Sequence, residues 1–382
     1  MSYLGIDPLT LLLSPVDPAA FFDRIWGQSY CHVEREEGYY DAVVRVDDLD
    51  EILQSRHLPA AYITVVRNGV ASPLERWSQA GGAPNRPQRV AIPERLFALY
   101  REGSTIVLNG IHACAPRPSA FCRSLKASLG MPCFANAYIT PPNAQGFSRH
   151  ADEHEVLVLQ IEGSKLWRVY PENGEPCEIE LTPGSLLYLP RGLQHEAETR
   201  GIASIHITLG ISPVYAFQLL EEIAAIAHSH PKFQYPLGGG KLIPTADAKW
   251  QEAFVRDAAA LMREMTPSEL YEHKRASALE ATQEAWTGRL TDLTRLAQIR
   301  LDTKVVPRQG MVAKVELRET TITAKFAGKS VTGPVFLKSS FDVIVSGREF
   351  TVREIPGMIP DSGKIELVRN FVKTGYLSIL DL

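Results

Sequence analysis

The sequence predicts a mainly β protein with helices: a small jelly roll, then a helical region, then a compact C-terminal module. Three observations predict it. From Phe134 to Leu209, short apolar or alternating segments are separated by Pro, Gly and Asn turns, the rhythm of a double-stranded β-helix. From Ser212 to about residue 300 the apolar period becomes that of amphipathic helices. From about Lys304 alternation returns, with two further helical stretches behind it.

Residues 1 to about 115 mix both kinds of element. Asp17-Pro18 reads as a cap followed by a first-turn proline, opening a short helix through Phe21, Phe22 and Ile25. Ala61–Val66 alternates like a strand, and so does Ser104–Leu108. Between them, Gly81 to Pro87 has loop composition. A helix follows Pro118, carries Phe121, Leu125 and Leu129 on one face, and ends at Gly130.

In the strand that starts near Phe134, Asn136, Tyr138 and Thr140 share one face and Ala135, Ala137 and Ile139 the other. Glu155–Ile161 is almost wholly apolar after its first residue, as a strand covered on both faces would be. Gly163-Ser164 turns the chain into Lys165–Tyr170, where Lys165 and Trp167 share a face. Leu186–Leu189 and Ser204–Leu209 complete the set. In the last of these, His206 points with Ser204 and Thr208 towards a polar lumen.

Ser212-Pro213 is a second cap with first-turn proline, so a helix is expected from there through Phe217, Leu220, Ile223 and Ala224 towards Pro231. Another covers about Asp247 to Met265. A third opens with the capping box Thr266-Pro267-Ser268-Glu269. Beyond Lys304, Met311, Ala313, Val315 and Leu317 alternate with Val312, Lys314, Glu316 and Arg318, which predicts a strand. Helices are expected near Pro334–Ser346 and Ser362–Lys373. The second puts Ile365, Val368, Phe371 and Val372 on one face, with Gly375 past its end and an apolar strand, Tyr376–Leu380, to close.

The 382 residues suffice for two or three domains, and 45% hydrophobic with 22% charged residues is ordinary for a soluble protein. The net charge of −4 is uneven: residues 300–382 hold 13 Lys and Arg against 9 Asp and Glu, so a mildly basic tail follows an acidic body. That fits either a polyanionic or ribosome-associated partner or an ordinary solvated surface. Cys31, Cys114, Cys122, Cys133 and Cys177 are odd in number and form no CxxC pair, which reads as free thiols. The first residues, MSYLGIDPLTLLLSP, lack a basic n-region, and no stretch approaches the ~20 apolar residues of a membrane span. The expectation is a cytoplasmic protein with no membrane partner. The sequence has no P-loop, GxGxxG or GxSxG, which excludes the usual nucleotide and hydrolase readings.

His150-Ala151-Asp152, followed at a distance by His195 in Pro190-Arg191-Gly192-Leu193-Gln194-His195, has the spacing of a 2-His-1-carboxylate site. Such a triad takes one face of a divalent ion, suits Fe(II), and leaves the opposite positions open. His154 is the competing histidine and reads as a residue behind or beside the site; Glu153 and Glu155 read as solvent-facing or structural. Lys165, among apolar neighbours in a barrel strand, requires an anion unless it reaches solvent at the strand end. Asn136 and Tyr138 need partners on their shared face, which a ligand or ordinary barrel hydrogen bonds would supply. His206 reads equally as a satisfied core histidine or a ligand contact. Arg191 and Gly192 shape the turn that delivers His195, and Trp26, Trp77 and Trp286 read as packing.

The segments ANAY, GFSRHADEHEVLVLQIEGSKLWRVYP, LTPGSLLYLPRGLQHEAE and SIHITLG, in that order, resemble the JmjC-type, cupin-fold oxygenases of the ribosomal-oxygenase group. The similarity continues more weakly through the flanks. It implies an N-terminal extension on the barrel (1–115), a JmjC catalytic core (116–212), a helical homodimerisation region (213–300) and a winged-helix-like C-terminal domain (301–382). It implies Fe(II) at His150, Asp152 and His195, with His154 left out. It also implies 2-oxoglutarate as cosubstrate, its distal carboxylate on Lys165, with Asn136, Tyr138 and His206 nearby. Gly210 stands where related proteins often have a serine near the cosubstrate, so no contact is assigned to it. The implied activity is hydroxylation of a side chain in a protein, a ribosomal protein first. The alternatives are a tailoring hydroxylase of a small peptide or amino acid, a histone-type demethylase, and a catalytically silent module that binds ribosome or nucleic acid.

Overall fold

The computed structural model describes residues 6–55, 58–83, 86–172, 174–234, 248–280 and 288–381. Its centre is an antiparallel sheet of eight strands. Across it run Cys31–Val33, Leu186–Leu189, Glu155–Gly163, Ser204–Ile211, Cys133–Thr140, Thr105–Leu108, Ile63–Arg67 and Val70–Ala71. A second sheet places Lys165–Tyr170 between Cys177–Leu181 and Gln194–Glu198.

The side-chain period of two decides what each face does. Leu157 and Leu159 join Ala135, Ala137, Ile207 and Leu209 in a core shared with the N-terminal helices and Pro116–Leu129. Val156 and Val158 point the other way, into an inter-sheet core with Trp167, Val169, Ile179, Leu181, Leu187 and Leu189. The apolar run beginning at Val156 is therefore covered on both faces, as its composition requires.

Several expected elements stand as read. Asp17 caps Pro18–Arg24 by accepting from Ala20 N at 3.0 Å, and Pro116–Leu129 ends on left-handed Gly130. Trp77 is buried, Trp26 stacks on Tyr188, and Trp286 lies outside the described residues. Cys31, Cys114 and Cys177 are free thiols.

Some expectations are corrected. The stretch from Gly81 is no loop: Ser78–Ala83 pairs antiparallel with Arg86–Ala91. Backbone pairing needs no apolar side chains, and Gly81 leaves room for Val90, whose Cγ2 would lie 2.7 Å from an added Cβ. The helix expected at Pro213 starts at Ala216. Ser212 N still donates to Pro132 O at 3.0 Å, so the chain remains strand-like there, and Gln218 Oε1 accepts from Tyr215 N instead. The strand expected from Met311 begins at Lys314. Left-handed Gly310 makes a turn against Arg123 and Ser124 that the alternation does not reveal.

The helices Ala216–Ala227, Ala248–Glu264 and Pro267–Glu280 follow the barrel. The last opens with the reciprocal Thr266–Glu269 capping bonds of 3.2 and 2.8 Å. It is fastened to the barrel helix by Tyr271 and Arg275, which donate to Leu129 O and Ala127 O, carbonyls left open at that helix's end. The C-terminal part packs Lys338–Ile344 and Asp361–Thr374 with two three-stranded sheets around its own core. Val335–Leu337, at the start of the first expected helix, is a 3-10 turn, and Pro334 ends a strand.

Candidate metal centre

His150 and Asp152 lie in the loop before Glu155–Gly163, and His195 lies near the start of Gln194–Glu198. Backbone bonds join the two places: His150 N donates to His195 O at 3.0 Å and His195 N to His150 O at 2.8 Å. Gly192, at φ +82°, turns its N–H onto Asp152 O at 2.8 Å. One ligand atom from each of His150, Asp152 and His195 then falls within 4.8 Å of the others. Among the described residues no other group of His, Cys, Asp and Glu does so.

The tautomers are arranged for ligation. His150 Nδ1 sits 2.8 Å from Ser148 O and His195 Nδ1 sits 2.9 Å from Leu193 O. A carbonyl only accepts, so each Nδ1 carries the proton and each Nε2 keeps its lone pair for an ion. Burial lowers the His195 pKa, which favours the neutral imidazole that ligation needs. His154 turns away, its ring packed edge-on against Phe134 at 5.0 Å.

Beside the triad is a cavity of about 200 Å³. Tyr138, Lys165, Trp167, His206 and Thr208 line it, with Thr105 and Phe147. Lys165 is 4% exposed, and its ammonium donates to Thr140 Oγ1 at 3.0 Å. No carboxylate among the described residues lies within ion-pair distance of it, and burial pushes its pKa down to about 7. His206 is equally buried and lies flat on Tyr138, ring centres 4.6 Å apart. Its Nδ1 has no hydrogen-bond partner among the described residues. Burial, and then the Lys165 cation, hold its pKa well below the usual histidine range, so it stays neutral. Burial, then the Asp152 carboxylate, raise Tyr138 to about 12, so it remains a donor.

Asn136 behaves differently. Its Oδ1 accepts from Gly110 N at 2.8 Å and it does not line the cavity; it meets the site through the Tyr138 hydroxyl. At Gly210 an added Cβ would lie 2.1 Å from Phe134 Cζ, so the Phe134 ring occupies the space a side chain would need.

Thr105 and Thr140 were not assigned roles from the sequence. Thr105 Oγ1 donates to Thr140 Oγ1 at 3.3 Å, and the pair forms the polar end around Lys165. Thr140 could have been found, since it shares a face with Asn136 and Tyr138. Thr105 could not, because only pairing of its strand with Cys133–Thr140 brings it there. Glu155 is buried rather than solvent-facing.

The donor set fits a divalent iron: two imidazole nitrogens and one carboxylate oxygen, with the cavity on the open side. The lone buried ammonium, without a counter-charge, fits a carboxylate ligand.

Residues 114–219 match the JmjC domain family. Ribosomal oxygenase 1 of Rattus norvegicus is 34% identical over 226 residues, covering 52% of this chain and 36% of the relative. The bifunctional lysine-specific demethylase and histidyl-hydroxylase NO66 of Drosophila erecta is 33% identical over 252 residues, covering 57% and 36%. The chain thus spans about a third of the length of these curated relatives. YcfD, a ribosomal oxygenase from Escherichia coli solved with cobalt and 2-oxoglutarate, superposes with a TM-score of 0.56 at 14% identity, over 96% of this chain and 98% of that one. Residues 114–219 thus match the JmjC domain family, and the chain that carries them has, over nearly its whole length, the fold of that solved structure.

Proposed function

We propose that this protein is an Fe(II)- and 2-oxoglutarate-dependent dioxygenase that hydroxylates an amino-acid side chain in a protein, with ribosomal proteins the first candidates. One juxtaposition supports the reading: the His150, Asp152 and His195 ligand atoms lie at a cavity that also holds the uncompensated Lys165 ammonium. The names of the relatives point the same way.

His150, Asp152 and His195 hold the metal. Iron with 2-oxoglutarate supplies oxygen activation strong enough to hydroxylate an unactivated C–H bond. The chain's own residues bind, orient and exclude. Lys165, already desolvated, pairs with the distal carboxylate of the cosubstrate, and Thr140 keeps the ammonium aimed. Tyr138 and neutral His206 offer polar contacts on the same wall, and Asn136 steadies Tyr138. Val156 and Trp167 keep that wall dry. Phe147, 37% exposed beside His150, marks the side from which a substrate side chain enters.

The helical region supports a homodimer. Tyr215, Phe217, Leu220, Phe254, Val255 and Met262 are exposed apolar side chains on or beside its helices, and a second copy would cover them. Light scattering should give twice 42.3 kDa, and a stable monomer would exclude it. Among the described residues no helix is long and apolar enough to cross a membrane, and the cytoplasm, where ribosomes work, is the compartment this reading implies.

The test is an intact-mass comparison of ribosomal proteins from cells with and without the gene, paired with succinate formation by the purified protein. One added oxygen atom on one ribosomal protein, dependent on the gene, is expected. A silent binding module, with or without nucleic-acid contacts through the basic C-terminal part, would form no succinate.

A further inference from the structure

Glu155 is a carboxylate that the proposed chemistry leaves idle, yet it is buried to 2% exposure three residues after Asp152. Its Oε2 accepts from the Tyr188 hydroxyl, and its Oε1 lies 3.8 Å from Arg191 Nε. Tyr188 is itself anchored. Its hydroxyl accepts from Gly27 N at 2.8 Å, Trp26 stacks on its ring, and Phe21 meets it edge-on at 4.9 Å. Tyr188 and Arg191 flank Pro190, where the chain enters the turn to His195.

Three ties therefore join the Asp152 loop to the His195 turn. Two are made by backbone: the His150–His195 pair and Gly192 N to Asp152 O. The third is made by side chains, Glu155 to Tyr188 and Arg191. A buried carboxylate stripped of its partners is costly, and the two oxygens here take different partners, so neither can be given up by rotating the group. The tie also reaches outside the JmjC domain, because Gly27, Trp26 and Phe21 hold its far end.

We propose that Glu155 is a positioning residue that holds the Asp152 loop and the His195 turn at the spacing a divalent ion requires. This rests on the metal-site reading above. It acts through the ligands' neighbours and touches neither ion nor substrate.

The test is a cobalt(II) titration of metal-free protein, followed by visible absorption, with the melting temperature of the metal-free form measured alongside. Glu155→Leu should weaken cobalt binding about tenfold or more, the usual cost of losing an outer support of a metal ligand, and should shift the absorption bands. Glu155→Gln can still accept from Tyr188 but has lost its charge for Arg191, so it should fall between Glu155→Leu and the unmodified protein. Tyr188→Phe should also weaken binding. A carboxylate with only a structural role would lower the melting temperature and leave affinity and bands unchanged, and that result overturns the proposal. If Glu155→Leu does not fold, unaltered affinity in both Glu155→Gln and Tyr188→Phe overturns it equally. An unmodified protein that takes up no cobalt defeats the metal-site reading, and this inference with it.

Discussion

Two buried cations sit in different parts of the chain and are treated in opposite ways. Arg308, in the C-terminal part, is 7% exposed and donates to the Asp292 carboxylate, which is also held by Ser378 Oγ at 2.9 Å and Ile379 N at 3.1 Å. Charge is matched and the carboxylate has three donors, so the arrangement ties helix Arg289–Arg295 to the closing strand. Lys165, in the jelly roll, is as buried but has a threonine hydroxyl where Arg308 has an anion. Burying a charge without its counter-charge costs several kcal/mol. A fold that retains such a group in a cavity beside the candidate ligands His150, Asp152 and His195 offers an anion a place to bind.

The largest effect expected is on the ion beside that place. Alanine at His150, Asp152 or His195 should abolish iron binding and turnover, since a three-ligand facial site tolerates little loss. His154→Ala should bind iron normally, because that ring packs on Phe134. Iron titrations decide it; loss of iron in His154→Ala with retention in Asp152→Ala would reverse the ligand assignment.

Exchanging the fates of the two cations is the next test. Lys165→Ala removes the partner of the incoming carboxylate, a loss of about 3–5 kcal/mol. At about 1.4 kcal/mol per tenfold change, the 2-oxoglutarate requirement should rise by two orders of magnitude or more, with iron binding preserved. Lys165→Arg should be milder, because the charge remains. Asp292→Ala should do the reverse: about 3–5 kcal/mol of stability lost, because Arg308 stays buried without its carboxylate, and unchanged cosubstrate affinity in the folded fraction. Equal cosubstrate affinity in wild type, Lys165→Ala and Lys165→Arg would move the carboxylate site elsewhere, to His206 first.

A smaller effect follows from pH. Lys165 is held down at about 7 when folded and titrates at 10.5 when exposed. Between these values the unfolded chain binds the extra proton, so stability of the ligand-free protein should rise with pH from about 7 and level off above 10.5. Below 7 both states are protonated and the dependence vanishes. Cosubstrate binding needs the charged form, so affinity should fall by up to about tenfold per unit above pH 7, with proton uptake on binding. Calorimetric titration in two buffers of different ionisation enthalpy reads that uptake; its absence would place Lys165 in a charged pair already. Smallest of all should be Asp302→Ala, which breaks an ion pair with Arg353 whose side chains are 60% and 82% exposed. An exposed pair is screened and replaced by water, so the melting temperature should stay where it is.

Much of the site was legible along the chain. The spacing of His150, Asp152 and His195 survives in the folded protein as a cluster of ligand atoms. The alternation around Tyr138 and His206 placed both on the lumen wall that they occupy. The helix start at Pro213 and the loop from Gly81 were misread for one reason. A local cap signal or a glycine-rich composition competes with strand pairing, to distant Pro132 at Ser212 and to the neighbouring Arg86–Ala91 at Gly81, and here the pairing won.

By itself the sequence determined the period of each strand, and therefore which side chains share a face. It also placed two histidines and a carboxylate at ligand spacing. Only the tertiary structure decided what those faces meet. Pairing of Thr105–Leu108 with Cys133–Thr140 put Thr105 against Thr140 and both beside Lys165. Packing of Phe134 filled the space at Gly210 and drew His154 aside. Burial left Lys165 without a counter-charge while Arg308 received one. A face is a property of local backbone geometry, fixed within a few residues. A partner is a property of long-range pairing and desolvation, set by residues far apart in the chain.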